Sequence, residues 1–514
     1  MNSKYLFNFI GAGLLIFLIL LKFSHPFQRS VKMTEENKIL YSSFPKLSTG
    51  KNYDPARVQT ATESFFVTNI YSSLVEHSDE NKIIPGVASN FNWDGDKIVF
   101  TIREGIKTID GYEIDSKDVV LSLKRLLIIG TNTHGDLRNF LAGNTNIKSL
   151  EEPLSSITSN GNSVIIKLKD RNKGTFLLPL LTNPDFRILS KHSFLHNKNL
   201  EIIDYRNTSG PYYVSSFDDD GTITLCANPY HYYFNKKMPQ TIKLIQASGQ
   251  DAIRLFKKNK IDLIPTIDGS TEKDFKNLSS NENEAVIHKT LNIKARFAKF
   301  IGRGKTELTS KQRIYIGKKL REAYQQEFMD EIPKPSNEFF PILGEGSLTT
   351  EELNHLRSLF DSTEKPEFLR KIKIGVHPNS YNRYQKAFSK IPEIELISSA
   401  KPPWTLPIET QPDIYIGNTD SAFFENISLI SYNIETGTFG LNHDEGFRWL
   451  NAYMLTEENS ERIKKLRELH YYSLSQGFII PFGHGPYTTI LRKPWNIELS
   501  PFFGDMSLWK IRLN

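Results

Sequence analysis

A change of period along the chain most constrains its fold. Residues 97–103, 163–168, 212–217 and 221–227 alternate polar and apolar side chains, the spacing of half-buried strands. Helical spacing then interleaves with short strand-like runs. Residues 251–260 form a helix with Ile253, Leu255 and Phe256 inward, 261–265 read as a strand, and this helix-then-strand order returns at 311–328 and 372–376. Helices alternating with short strands imply a layered α/β architecture. Residues 478–481 and 487–491 are strand-like again, and neither a repeat of about 20–50 residues nor a low-complexity block interrupts the series.

Local signals sharpen parts of this pattern. Helical periodicity marks 67–74 and 116–127, and the second stretch opens on Asp115-Ser116-Lys117-Asp118, whose side-chain oxygens suit the free N–H groups of a first helical turn. Asp94-Gly95 reads as a turn, and Asp218-Asp219-Asp220 as the bend of a hairpin. With 514 residues the chain has room for two or three domains of about 100–200 residues. Its net charge of +6 comes partly from Lys4, Lys22, Arg29 and Lys32, so no basic face for nucleic acid is implied. Cys226 is the single cysteine, which excludes an intramolecular disulfide and a multi-cysteine metal site; within residues 222–227 it reads as a small buried hydrophobe.

Residues 5–21 are almost entirely apolar, flanked by Lys4 and Lys22. A run of about 17 residues is the shortest that spans a bilayer as a helix. It reads as a cleaved signal peptide or an uncleaved signal anchor, and the absence of a small-x-small site before Pro26 favours the anchor. The positive charges after the run would, by the positive-inside rule, keep the body cytoplasmic; the character of the remaining chain outweighs this. Polar residues 30–51 suit a tether.

Signatures of catalysis are missing. There is no His-Glu-x-x-His pair and no Gly-x-Ser-x-Gly elbow. Gly302-Arg303-Gly304-Lys305-Thr306 lacks the first glycine of a phosphate loop. His484, between two glycines, reads as structural, and Asp218-Asp219-Asp220 and Glu351-Glu352 as turn and helix-start residues. Neither an enzyme activity nor a cofactor nor a metal site is expected.

Several segments, in order, resemble the family 5 extracellular solute-binding proteins, the dipeptide-, oligopeptide- and nickel-binding components of ABC importers. They are Tyr53-Asp54-Pro55-Ala56, Asn69-Ile70-Tyr71-Ser72-Ser73-Leu74, Ile84-Pro85-Gly86-Val87-Ala88 leading to Phe100-Thr101-Ile102-Arg103-Glu104-Gly105, Asp118-Val119-Val120, Ser209-Gly210-Pro211-Tyr212 and Ala227-Asn228-Pro229-Tyr230. Residues 252–262 and Ile479-Ile480-Pro481 continue the resemblance, which runs from about Lys51 to the C-terminus. Thr108-Ile109 before Asp110-Gly111, and Lys260 before Asp262, depart from the family pattern.

The resemblance implies a two-lobed periplasmic-binding-protein-like clamshell, type II, cluster C, with an accessory α/β domain and an N-terminal transmembrane or signal helix. The expected division is signal or anchor and tether at 1–33, lobe one at 34–66, 191–245 and 478–514, its accessory domain at 67–190, and lobe two at 246–477. Crossing strands are expected near 241–245 and 477–481. Hinge closure over an interlobe ligand would follow. Ligand contacts implied by the family are Gln59, Thr60 and Ala61 of the 58–61 segment, and Ile416, Gly417 and Asn418, whose backbones would pair with an extended peptide.

In peptide-binding members an aspartate in a Trp-x-x-Asp-Tyr-x-Asp-Pro-like segment meets the ligand's ammonium. Residues 413–421 lack the tryptophan and the proline, and two registers place either Gly417 or Asp420 at that position. Only Asp420 preserves the ion pair. Tyr230, Tyr232, Tyr233 and Phe234 form an aromatic cluster expected to pack more than to stack on ligand. The implied partners are a peptide or similar solute, permease subunits of an ABC transporter and the membrane, with the chain a monomer at the extracytoplasmic face. A sensor or assembly protein that keeps the binding fold is the alternative. A cytoplasmic regulator would carry a helix-turn-helix, and none precedes Lys51.

Overall fold

The computed structural model describes residues 39–46, 53–80, 82–131, 135–266, 275, 278, 284–328, 332, 334–340, 344–376, 378–399, 403, 406–420, 427–500 and 506–513. The expected membrane segment at 5–21 lies outside them. Among the described residues no helix is long and apolar enough to cross a membrane.

Two large mixed sheets organise the body. The first has the spatial order Tyr212–Phe217, Ile223–Ala227, Thr241–Gln246, Ile39–Phe44, Leu263–Ile264, Thr488–Arg492, Ala285–Lys289. The second runs Lys334–Pro335, Ile479–Gly485, Lys294–Phe300, Ile414–Asp420, Ile372–Val376, Ile394–Ser398. A smaller antiparallel sheet, Ala88–Asp94, Lys97–Ile102, Ser163–Lys167 and Ile157–Asn160, forms the accessory layer with helix Ser116–Ile129.

The start signal read at Asp115–Asp118 opens its helix as expected. Asp115 accepts from the N–H groups of Lys117 at 2.8 Å and Asp118 at 3.0 Å, while the Asp118 carboxylate accepts from the Asp115 N–H at 2.9 Å. Each engages a donor that a helix terminus otherwise leaves unmet. Helix Ala61–Ile70 opens the same way on Thr60 and Glu63, six residues before the expected start at 67. It stops before Ser72–Ser73, which pair with Arg187–Ile188. Its residues Phe65, Phe66, Val67 and Ile70 pack in the first sheet's core, whereas Leu74 is in the accessory core, so the accessory layer begins later than 67.

In the second sheet, Ala298, Phe300, Ile374, Ile414, Ile416 and Ile480 share a core with Ile314, Ile316, Leu320 and Tyr324 of helix Ser310–Glu327. The hairpin at Asp218-Asp219-Asp220 forms as expected, closed by the Asp218 N–H to the Thr222 carbonyl at 2.9 Å. Glu351 and Glu352 lie in the first turn of helix Thr350–Ser362.

The crossings differ from expectation. Thr241–Gln246 is an internal strand of the first sheet, and Ile479–Gly485 belongs to the second. The chain passes between the sheets at residues 290–293 and 486–487. Residues 246–289 therefore supply strands to the first sheet, and 479–485 a strand to the second, which moves both expected boundaries. Period-two alternation identifies a strand but carries no information about its sheet.

Candidate functional site

The two crossings run antiparallel and touch each other. Lys289 lies opposite Thr488 in the first sheet and Lys294 opposite Gly485 in the second. Between them the Thr290 N–H donates to the Tyr487 carbonyl at 3.1 Å, and the Tyr487 N–H donates to Thr290 Oγ1 at 2.9 Å. Thr290 Oγ1 donates in turn to the Leu291 carbonyl at 2.8 Å. The Ile293 N–H then folds back onto the Leu291 carbonyl at 2.8 Å, opposite Pro486, which has no N–H to offer. The ladder is thus interrupted midway, and a short stretch of interrupted backbone absorbs φ/ψ change more readily than a paired strand. The Lys294 ammonium lies 4.9 Å from the Tyr487 ring centroid and brackets the same spot.

On the first body the Asp-Pro opening is fixed by a buried ion pair. Arg125 donates through Nη1 to Asp54 Oδ1 at 2.8 Å and through Nη2 to Oδ2 at 2.5 Å, while its Nε donates to the Leu200 carbonyl at 2.7 Å. Asp54 Oδ1 also accepts from the Ala56 N–H at 3.0 Å, starting the tight turn Pro55–Arg57. This turn delivers Gln59, Thr60 and Ala61 as a helix N-terminus. The N–H groups of Gln59 and Thr60 donate to Glu63 Oε2 at 2.9 and 3.0 Å, so both donors are engaged within the chain, and Ala61 is exposed.

Ile416, Gly417, Asn418 and Asp420 lie together on the strand Ile414–Asp420, with Asp420 opposite Lys294 at its end. The parallel neighbour Ile372–Val376 reaches only Ile414 and Tyr415. Among the described residues, positions 416–420 have no strand on that side. Ile416 is buried in the second core and Asn418 is exposed. At Gly417 a Cβ would meet Cε1 of Tyr415 at 2.5 Å, so a larger residue displaces that ring. The side chain of Asp420 lies outside the described set. Asp413 is engaged elsewhere: Arg370 grips its carboxylate at 2.6 and 2.7 Å, and the Lys373 N–H donates to it at 2.8 Å.

Next to this strand Lys299 is buried, its Nζ donating to the Thr436 carbonyl at 2.9 Å and to Thr438 Oγ1 at 3.2 Å. Desolvation pushes its ammonium down to about 7. Sequence reasoning singled out neither Lys299 nor Arg125. Charged residues inside apolar runs were the available signal, but their partners are remote in sequence.

The remaining candidates resolve into structure. His484 is buried with Nε2 bonded to the Phe339 carbonyl at 2.9 Å, and burial lowers its pKa. Tyr232 donates to Glu76 Oε1 at 2.5 Å, Tyr233 donates to the same carboxylate, and Tyr230 is exposed. Gly304 packs on the Asp413 backbone, and Lys305 donates to the Leu441 carbonyl at 2.6 Å. Cys226 is half-buried and not fully buried, because Ile223 and Leu225 take the inward face of its strand. Among the described residues no group of three or more His, Cys, Asp or Glu side chains is placed to hold a metal ion.

The sequence pattern of the bacterial extracellular solute-binding proteins, family 5 Middle, matches residues 82–313. Over these residues the chain resembles the family 5 solute-binding proteins. A stretch of 75 residues is 31% identical to the periplasmic murein peptide-binding protein MppA of Escherichia coli, covering 14% of each chain. Three solved structures share the fold of this chain. A dipeptide-binding protein from Pseudoalteromonas sp. SM9913, in complex with Met-Leu, superposes with a TM-score of 0.73 at 13% identity, covering 93% of this chain and 100% of that one. The E. coli murein tripeptide-binding protein MppA gives 0.71 at 14%, covering 92% and 98%. NikA from Staphylococcus aureus, in complex with Ni(L-His)2, gives 0.71 at 15%, covering 93% and 100%. The chain therefore has the periplasmic-binding-protein-like α/β fold.

Proposed function

We propose that the chain is the extracytoplasmic solute-binding component of a peptide-type ABC importer, capturing a peptide or similar solute between its two bodies and passing it to a membrane permease. One observation carries the reading: two α/β bodies, in a chain with the family 5 pattern, are linked by paired crossings whose ladder breaks at residues 291–293 opposite Pro486. Closure about this break would bury a ligand. The ligands named for the structural relatives, Met-Leu, a murein tripeptide and Ni(L-His)2, set the classes to test. The contact set is Gln59, Thr60 and Ala61 on one side and Ile416, Gly417, Asn418 and Asp420 on the other, with the open edge at 416–420 offering backbone groups to an extended chain. The protein acts as a monomer without catalysis, held at the outer face of the membrane by residues 5–21.

The missing tryptophan and proline at 413–421 favour a second reading, a sensor or assembly protein that retains the fold. Thermal-shift measurement against di- and tripeptide mixtures and nickel–histidine separates the two. The importer reading expects an upward shift with one class, diminished by Asp420→Ala; no shift with any class favours the second.

A further inference from the structure

The accessory layer touches the second body directly, within one apolar core. The short helix Gly174–Leu180 presents Phe176, whose ring lies 5.8 Å from that of Tyr453 and 5.5 Å from the Arg462 guanidinium. Trp449 stacks on Tyr453 from behind at 5.2 Å. Leu177, Leu180 and Leu181 share one continuous apolar core with Ile427, Ile430 and Ile434. Gly135 fits between the two sides: with φ at +128°, a Cβ there would meet Leu180 Cδ1 at 2.8 Å and Ser431 Oγ at 3.6 Å. Polar contacts fix the register. Lys173 is buried and donates to Asn451 Oδ1 at 2.8 Å and to the Asn139 carbonyl at 3.3 Å, and on the exposed rim Asn172 donates to Glu457 Oε1 at 2.7 Å.

We infer that this contact is a latch that favours the closed arrangement without any ligand contact. The inference rests on the hinged two-body reading above. Arg125 of the accessory helix is locked to Asp54, so the accessory layer moves with the first body; if the bodies part about 290–293 and 486–487, the contact separates, exposing Phe176 and the three leucines to water and stripping Lys173 of its amide partner. Exposing apolar surface is unfavourable, so the latch lowers the open population by a factor that adds to whatever a solute contributes. Affinity is then set by two separable devices, the solute contacts and the latch, and variation in the latch tunes retention without altering which solute is recognised.

The test reads distance, not binding. In the full chain with Cys226→Ser, spin labels at Ser159→Cys on the accessory layer and Ser358→Cys on the second body report separation by double electron–electron resonance. The latch predicts a narrow distribution that gains a longer component in Phe176→Ala and in Asn451→Leu, with the open-to-closed ratio raised about tenfold or more. If Phe176→Ala fails to fold, Asn451→Leu, which keeps the branching of the side chain but removes its acceptor for Lys173, carries the test alone. A distribution unchanged in Asn451→Leu, while Thr290→Val at the crossing broadens it, overturns the latch and leaves solute capture standing. Solute capture fails separately, on binding measurements made with the latch intact.

Discussion

Replacing Asp54 by asparagine probes how the first body holds its Asp-Pro turn. Asp54 and Arg125 are 2% and 1% exposed, and three guanidinium hydrogen bonds converge there, two on the carboxylate and one on the Leu200 carbonyl. Asparagine keeps the shape but leaves the guanidinium charge buried with no counter-charge on that side. Breaking a buried pair by removing one partner costs about 3–5 kcal/mol, most of it the penalty of the charge left behind. For a unit of about 150–250 residues each kcal/mol moves the melting midpoint by about 2–4 °C, so a loss of about 6–20 °C is expected for the transition of the first body. Calorimetry of wild type, Asp54→Asn, Arg125→Met and the double variant measures it. The double variant should recover at least half of the loss, because no unpaired charge remains. A drop below about 1 °C in Asp54→Asn, or a double variant that merely sums the singles, would refute the reasoning.

Acid should destabilise the fold through buried neutral histidines. His231 bonds Ser72 Oγ through Nε2 at 2.8 Å and accepts the Tyr233 N–H at Nδ1, while His470 accepts the Phe339 N–H at Nε2; burial lowers them to about 3 and about 4. Because the unfolded chain takes up these protons first, their contribution is complete above about 6.5 and is lost as pH falls towards those values, about 1.4 kcal/mol per pH unit for each, a slope that urea melts between pH 7 and 5 detect. Thr290→Val removes the acceptor for the Tyr487 N–H and should raise amide exchange at Tyr487 by about fivefold to tenfold, with about 1 kcal/mol or less lost in global stability. Gly417→Ala forces the Tyr415 ring aside and should cost about 1–3 kcal/mol together with a loss of solute retention; unchanged retention removes Gly417 from the contact set.

Much of the local structure was legible because its causes are local. Asp115-x-x-Asp118 announced its helix, the Asp218-Asp219-Asp220 bend its hairpin, and residues 372–376 a strand with the observed ends, since capping, turn and periodicity act within a few residues. The sheet to which a strand belongs was not legible. Thr241–Gln246 and Ile479–Gly485 alternate or run apolar in the same way whichever sheet receives them, and the crossings are marked only by Pro486 and by hydrogen bonds between residues nearly two hundred positions apart. The Asp54–Arg125 pair was hidden for a related reason: a carboxylate and a guanidinium 71 positions apart carry no mutual signature in one sequence. At the candidate site the two groups of residues were named from family resemblance. Their conformations, a capped helix start at 59–61 and a half-open strand edge at 416–420, depend on Glu63 and on how far the neighbouring strand extends.

Capture of a solute between two hinged bodies is tested most directly by native mass spectrometry of the full chain, purified gently without unfolding. A population heavier than the chain by the mass of one small solute is expected, removed by unfolding and refolding and restored by a peptide mixture. A chain that carries no extra mass as purified, and takes up none from di- and tripeptide mixtures or nickel–histidine, would contradict it.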